Sequence, residues 1–143
     1  MSIICELNKA FRIDASCNAS EEKEIEQLIK YAKIKIPDDY LEVIRDRTEI
    51  EINIHDEKYL RIWGANGCME MNEAYYIQKY IPYSLAIGDD EEGNAILYAN
   101  GKNGFGVYAV AFNDLDEEEM RFIAKSLREL LVYEKGIETL MTL

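Results

Sequence analysis

Nucleophilic catalysis by a Ser/His or Cys/His pair would have to use His55, the only histidine in the chain. His55 lies in the polar phase of an alternating segment, beside Asp56, a position typical of a surface histidine. The cysteines, Cys5, Cys17 and Cys68, are far apart and form no Cys-x-x-Cys pair, so neither a zinc site nor a disulfide framework is predicted. We therefore expect reduced thiols, a cytoplasmic location, no metal and no cofactor.

Carboxylates are the most abundant groups that could do chemistry, with 28 acidic side chains against 16 basic ones. The acidic run at 89–92 does not place ligands at alternate positions, and the segment 114–118 lacks the central glycine of an EF-hand loop. A weak cation site stays open as an alternative, but the spacing nominates no pair of carboxylates as the acid and base of a glycosidase. The sequence therefore indicates no reaction, and we expect that the protein is not an enzyme.

Aromatic residues accompany the acidic run in the same half of the chain. Rings with polar tips near carboxylates are common on protein-binding surfaces. Two adjacent tyrosines on a short helix cannot both point inwards, so one of Tyr75 and Tyr76 should face solvent. The predicted partner-binding face comprises Asp89, Asp90, Glu91, Glu92, Trp63, Tyr75 and Tyr76. The alternative is that the acidic run only solubilises a turn at a sheet edge.

The net charge of −12 is concentrated in one quarter of the chain, because residues 84–119 contain nine acids and a single base, Lys102. Phosphate groups bind lysine and arginine, so this excess argues against nucleic acid and anionic membranes as direct ligands. No stretch approaches about 18 uninterrupted apolar residues, and no basic leader precedes the first apolar residues, so we expect neither a spanning helix nor a secretory signal. A neutral or basic protein is the expected partner.

The length of 143 residues, without linkers or repeats, predicts a single domain over 1–143. Apolar residues at helical spacing predict helices over 21–33 and 37–46, and Asn72 is expected to cap a third over 73–80. The clearest helix is expected over 117–135, because acidic residues begin it and Gly136 follows it.

Alternation and β-branched residues predict five strands between these helices. Their expected positions are 50–55, 59–63, 84–88, 94–99 and 106–112. The first two should form an antiparallel pair. We therefore expect an α+β fold: a central, mostly antiparallel sheet of five or six strands, with the N- and C-terminal helices packed on one face.

Three segments resemble the SUKH superfamily, also called the Smi/Knr family. Ile36-Pro37-Asp38-Asp39-Tyr40-Leu41 is similar to its Leu-Pro-x-Asp-Tyr signature. Residues 81–94 are similar to its strand and turn, in which a proline precedes small-apolar-Gly-Asp-x-x-Gly. Gly106-Val107-Tyr108 resembles a third strand of the family. The resemblance covers about residues 21–131, with the three motifs in the family's order.

This resemblance implies a SUKH-like α+β fold, no catalytic centre and a role in binding proteins. Bacterial members are immunity proteins that neutralise toxins, often nucleases, and fungal relatives resemble regulators of glucan and cell-wall synthesis. We therefore expect a non-catalytic domain that binds a basic, nuclease-type toxin; the alternative is a cell-wall regulator that acts through protein partners. No pattern in the sequence indicates an oligomeric state.

Overall fold

The computed structural model describes residues 2–143. Seven strands form one open antiparallel sheet, in which every strand pairs with the next strand along the chain. The strands are β1 (Phe11–Asn18), β2 (Arg47–Ile54), β3 (Lys58–Ile62), β4 (Leu85–Asp89), β5 (Asn94–Gly101), β6 (Gly104–Ala111) and β7 (Arg121–Ala124). The helices are α1 (Glu22–Tyr31), α2 (Asp38–Ile44), α3 (Ala65–Ala74), α4 (Ile77–Tyr80), α5 (Leu127–Leu131) and α6 (Ile137–Met141). Two 3-10 turns, Ile3–Glu6 and Glu117–Glu119, complete the described structure.

The expected α+β class is confirmed, and the sheet has seven strands where five or six were expected. The prediction missed two strands: β7, which lies in a segment predicted as a helix, and β1, which is exposed from Asp14 onwards. Phe11, Ile13, Ala15 and Cys17 alternate with polar residues along the whole of β1, so the sequence carries the period of a half-buried strand, which the prediction overlooked.

The centre of the core is built by the strand pair that alternation predicted. Ile50 lies opposite Ile62, and Ile52 lies opposite Leu60, so these four side chains share one face of the sheet. All four are fully buried. Helix α2 begins after Pro37 and contacts β2, while α5 and α6 contact β7. Within residues 2–143, every helix is too short or too polar to cross a bilayer.

The predicted helix over 73–80 is wrong in its start and its continuity. Helix α3 already begins at Ala65, and the chain breaks between α3 and α4, where Tyr76 has left-handed backbone angles (φ 55°). Asn72 does not cap a helix; it is buried inside α3 and bonds to the backbone of β4. Its Nδ2 donates to the carbonyl of Ala86 at 2.8 Å, and its Oδ1 accepts the Ala86 N–H at 3.0 Å.

The predicted helix over 117–135 is also wrong. Its first residues form the 3-10 turn, β7 then pairs with β6, and α5 begins only after Ser126, whose side chain accepts the N–H of Glu129. The apolar residues of this segment lie three or four apart, which fits the period of one long helix. The same spacing also fits a short strand followed by a short helix, and this is what the segment forms. Gly136 has a left-handed backbone (φ 94°) and directly precedes α6, so it does mark a helix boundary.

Candidate functional site

The acidic run at 89–92 forms the turn that joins β4 to β5, and Asp90 is its anchor. Asp90 is fully buried, with Oδ1 accepting the backbone N–H groups of Glu92 and Asn94, each at 2.9 Å. Its Oδ2 accepts from the Asn94 side chain at 2.8 Å and from the Lys58 ammonium at 3.2 Å. Burial alone would raise the pKa of Asp90, but these hydrogen bonds hold it below its ordinary value. The buried Asp90 carboxylate therefore fixes the backbone conformation of the turn.

Asp89 connects this turn to Trp63. The indole Nε1–H of Trp63 donates to Oδ2 of Asp89 at 2.8 Å, and the other oxygen of Asp89 accepts the N–H of Glu91 at 2.7 Å. Trp63 is only 2% exposed. The buried Trp63 side chain therefore anchors the turn through its hydrogen bond to Asp89.

Glu91 and Glu92 are the two exposed acids of the turn. Glu92 lies 3.0 Å from the Lys58 ammonium and keeps 61% of its side chain exposed. Glu91 lies 3.6 Å from Arg61, which also pairs with Glu51 at 3.1 Å. Partial burial, followed by the hydrogen bond with Glu51, raises the pKa of Glu91. Two basic side chains thus neutralise part of the charge of the turn.

Tyr75 and the turn are brought together by Phe112. The Phe112 N–H donates to the carbonyl of Gly93 at 2.9 Å, and the Tyr75 ring packs on the Phe112 ring with centroids 4.2 Å apart. Here the surface has a groove of about 460 Å³, which we call the aromatic groove. It is lined by Ala74, Tyr75, Tyr76, Tyr80, Phe112, Asn113, Asp114 and Leu115.

Exposed tyrosines are concentrated in the segment that borders this groove. Their exposed fractions are 40% for Tyr75, 65% for Tyr76, 49% for Tyr80 and 73% for Tyr83. Tyr76 and Tyr83 also have left-handed backbones, with φ 55° and 59°. That conformation costs a bulky residue about 1 kcal/mol or more, which glycine or asparagine would avoid. Tyr76 also lines the aromatic groove, so a binding surface there gives a reason for tyrosine at this position that folding alone does not.

The structure adds residues to the predicted face that the sequence did not nominate. Phe112, Asp114 and Leu115 line the aromatic groove, and Asp114 begins an acidic segment, residues 114–119. All five acids of this segment are exposed, and only Glu118 among them pairs with a base, Lys102 at 3.5 Å. The charge run carries this signal in the sequence, but its glutamates also fit the first turn of the predicted helix over 117–135, and there they form a 3-10 turn.

The arrangement has the properties of a contact surface. Within residues 2–143, no group of three or more histidine, cysteine or acidic side chains is placed to hold a metal ion. The carboxylates of the turn accept hydrogen bonds from backbone N–H groups, Trp63 and Lys58. Exposed tyrosines beside free carboxylates can pack against a partner and pair with its basic side chains.

Comparison with protein families gives one finding. The model of the SMI1 / KNR4 family (SUKH-1) matches residues 19–132, which include the turn, α3, α4 and the acidic segment. No curated protein matches the chain.

Proposed function

Because this chain belongs to the SMI1 / KNR4 family (SUKH-1), we propose that it is a non-catalytic protein-binding domain that neutralises a basic, nuclease-type toxin. The family includes toxin-immunity proteins and regulators of glucan synthesis, and its members typically bind protein partners. A cytoplasmic location fits this role and is part of the proposal.

One observation carries the proposal: the aromatic groove lies between two acidic stretches. The turn at 89–92 adjoins it through Gly93 and Phe112, and the acidic segment 114–119 contributes Asp114 to its wall. Tyrosine supplies contact area at low conformational cost, which explains its enrichment at protein interfaces. Carboxylates around such a patch favour a partner with a basic surface.

A nuclease has a basic groove that binds the phosphates of its substrate. Glu91, Glu92 and the acidic segment can occupy such a groove as a polyanion, while Tyr75 and Tyr76 pack against its apolar wall. Charge complementarity raises the association rate and selects the partner, and the aromatic contacts slow dissociation. Neutralisation then needs no reaction, because the inhibitor only has to exclude the substrate.

The first experiment is a pull-down with the tagged chain from its own cells, washed at low salt and then at high salt. We expect a basic, nuclease-like protein that leaves at high salt. The purified partner should lose its nuclease activity when the chain is added in equal amount. Recovery of envelope-synthesis proteins instead would favour the regulator of glucan synthesis and overturn the toxin proposal.

A pair of variants makes the test specific for the surface. The double variant Tyr76→Ala/Glu91→Lys alters the proposed face, while Glu26→Lys changes an exposed acid on α1, which contributes nothing to the aromatic groove. Only the first should lose inhibition of the recovered nuclease. Equal inhibition by both variants would contradict the assignment of the surface.

A further inference from the structure

A second groove on this acidic protein is basic. It has a volume of about 410 Å³ and contains the side chains of Lys30, Lys33 and Lys79, and we call it the lysine cleft. All three lysines are exposed, and within residues 2–143 none of the ion pairs involves them. The remaining lining residues are Tyr31, Asn72, Glu73, Tyr76 and Gln78. Unpaired ammonium groups gathered in a cleft favour an acidic occupant.

The lysine cleft and the aromatic groove meet at Tyr76, which lines both. Continuing from the lysines, the surface therefore presents Tyr76, then the groove, then Asp114 at the start of the acidic segment 114–119. Positive charge, exposed aromatic rings and negative charge follow one another in a strip. Such a strip is complementary to a second copy of itself, because a two-fold rotation places its basic end against the acidic end of the copy.

We propose that two copies of this chain associate through this strip as a symmetric dimer. The lysine cleft of each copy receives the acidic segment of the other, and the Tyr76 rings pack near the two-fold axis. This inference goes beyond the proposed function and does not rest on it, since the dimer forms from the chain alone. The dimer covers the aromatic groove, so it competes with any partner that binds there.

Salt should affect this dimer in two directions. Each copy carries a net charge of −12, so the two copies repel each other at long range in dilute buffer. At about 0.1 M salt the Debye length is about 10 Å, which screens this repulsion and leaves contacts at a few ångströms largely intact. At about 1 M the ion pairs themselves are screened. Association should therefore be strongest at intermediate salt.

Charge exchange between two variants provides the test. The basic end is reversed in Lys30→Glu/Lys33→Glu/Lys79→Glu, and the acidic end is reversed in Asp114→Lys/Glu117→Lys/Glu119→Lys. In each variant alone, both contacts of the dimer join like charges, so each should sediment as a monomer. An equal mixture restores two attractive contacts and should form a heterodimer. Lys9→Glu/Lys35→Glu/Lys125→Glu, which reverses three exposed lysines outside the cleft, is the matched control and should dimerise like the unchanged chain.

Sedimentation equilibrium at about 100 µM protein, a concentration suited to weak association, gives the readout. A dimer of the unchanged chain that is lost in each variant and regained in the mixture is the expected result. A monomeric unchanged chain, or a mixture that stays monomeric, overturns the proposal. Tyr76→Asn provides a second variant that keeps every charge and should also be monomeric, so the outcome does not depend on whether the reversed variants fold.

Discussion

The ammonium group of Lys58 lies 3.2 Å from Oδ2 of Asp90, and both side chains are almost completely withdrawn from solvent. Lys58 is the first residue of β3, while Asp90 follows the last residue of β4, so this pair joins the two strands beyond their short run of backbone pairing. The same ammonium group pairs with the exposed Glu92. The proposed binding turn is thus held in place by a buried ion pair.

Replacing Asp90 by asparagine should destabilise the protein. The amide nitrogen of the new asparagine is a donor and would face the donors of Lys58 or Asn94. The buried Lys58 ammonium would also lose its buried carboxylate partner. Together these effects should lower the free energy of unfolding by about 3 kcal/mol. Glu92→Gln is the matched control and should cost less than about 1 kcal/mol, because the Glu92 carboxylate is mostly exposed and Lys58 keeps Asp90 as its buried partner. Urea denaturation measures both values, and equal losses would contradict the buried role of Asp90.

The contribution of Asp90 should depend on pH in a defined direction. Its hydrogen bonds lower the pKa of the folded state below the value of about 3.9 expected in the unfolded chain. Stabilisation by this carboxylate is therefore complete above about pH 5 and is lost as the pH falls past the unfolded value towards the lower, folded-state pKa. The difference in unfolding free energy between the unchanged chain and Asp90→Asn should shrink between about pH 5 and about pH 2. A difference that stays constant over this range would contradict the prediction.

Tyr76→Asn should separate stability from binding. Asparagine tolerates the left-handed backbone of residue 76, so the free energy of unfolding should stay level or rise by about 1 kcal/mol. Loss of the exposed ring should weaken binding of the partner by about tenfold or more.

Tyr83→Asn is the matched control for this change. Tyr83 has the same left-handed backbone and is even more exposed, but it lines neither the aromatic groove nor the lysine cleft. The Tyr83→Asn variant should therefore gain the same stability and keep its affinity. Equal loss of affinity in the two variants, measured by titration calorimetry, would show that Tyr76 has no special position.

Gly88→Ala should disrupt the pairing of β3 with β4. An added Cβ at residue 88 would lie 2.1 Å from the carbonyl oxygen of Arg61, and the strand pairing here consists of only two residue pairs. We expect a loss of at least about 2 kcal/mol in the free energy of unfolding. In Gly93→Ala the added Cβ would meet no atom within 4 Å. The only cost is the strain of an alanine at a φ of 96°, so the free energy of unfolding should fall by about 1 kcal/mol. Thermal unfolding of the two variants tests this order.

The three thiols should react at two very different rates. Cys5 and Cys17 are exposed, whereas burial raises the pKa of Cys68 to about 12. Since the thiolate is the reactive form, an aromatic disulfide reagent at about pH 8 should titrate two thiols quickly and the third only after unfolding. Rapid reaction of all three thiols would show that α3 opens away from β4.

Much of the fold was predictable because its residues obey one local period. Helices α1 and α2 and strands β2 to β6 have clear apolar spacing, bounded by Ser20, Pro37 or a turn. Their expected positions agree with the structure to within a few residues. In these segments the local preference and the buried contacts favour the same conformation.

Apart from β1, whose alternation was overlooked, the remaining elements depend on contacts that a local pattern does not contain. β7 is a strand because Phe122 pairs across to Tyr108, although its apolar residues also fit a helix. The groove between Tyr75 and Asp114 was hidden for the same reason, because it joins residues far apart in the sequence. Two features of the predicted face could be predicted from residue types alone: the acidic turn, and the solvent exposure of the Tyr75 and Tyr76 pair. The burial of Asp90 and Trp63 was not, since it requires partners on other strands.

The order of the strands has a consequence for how the chain is made. Because every strand pairs with its neighbour in sequence, each strand can join the sheet in turn as the polypeptide leaves the ribosome. The N-terminal 3-10 turn is different: Glu6 pairs with Arg128 at 3.1 Å, and Asn8 donates to the carbonyl of Leu131 at 2.8 Å. These contacts must wait until residues up to Leu131 have left the ribosome. The segment before β1 therefore takes its final position only after all seven strands have been synthesised.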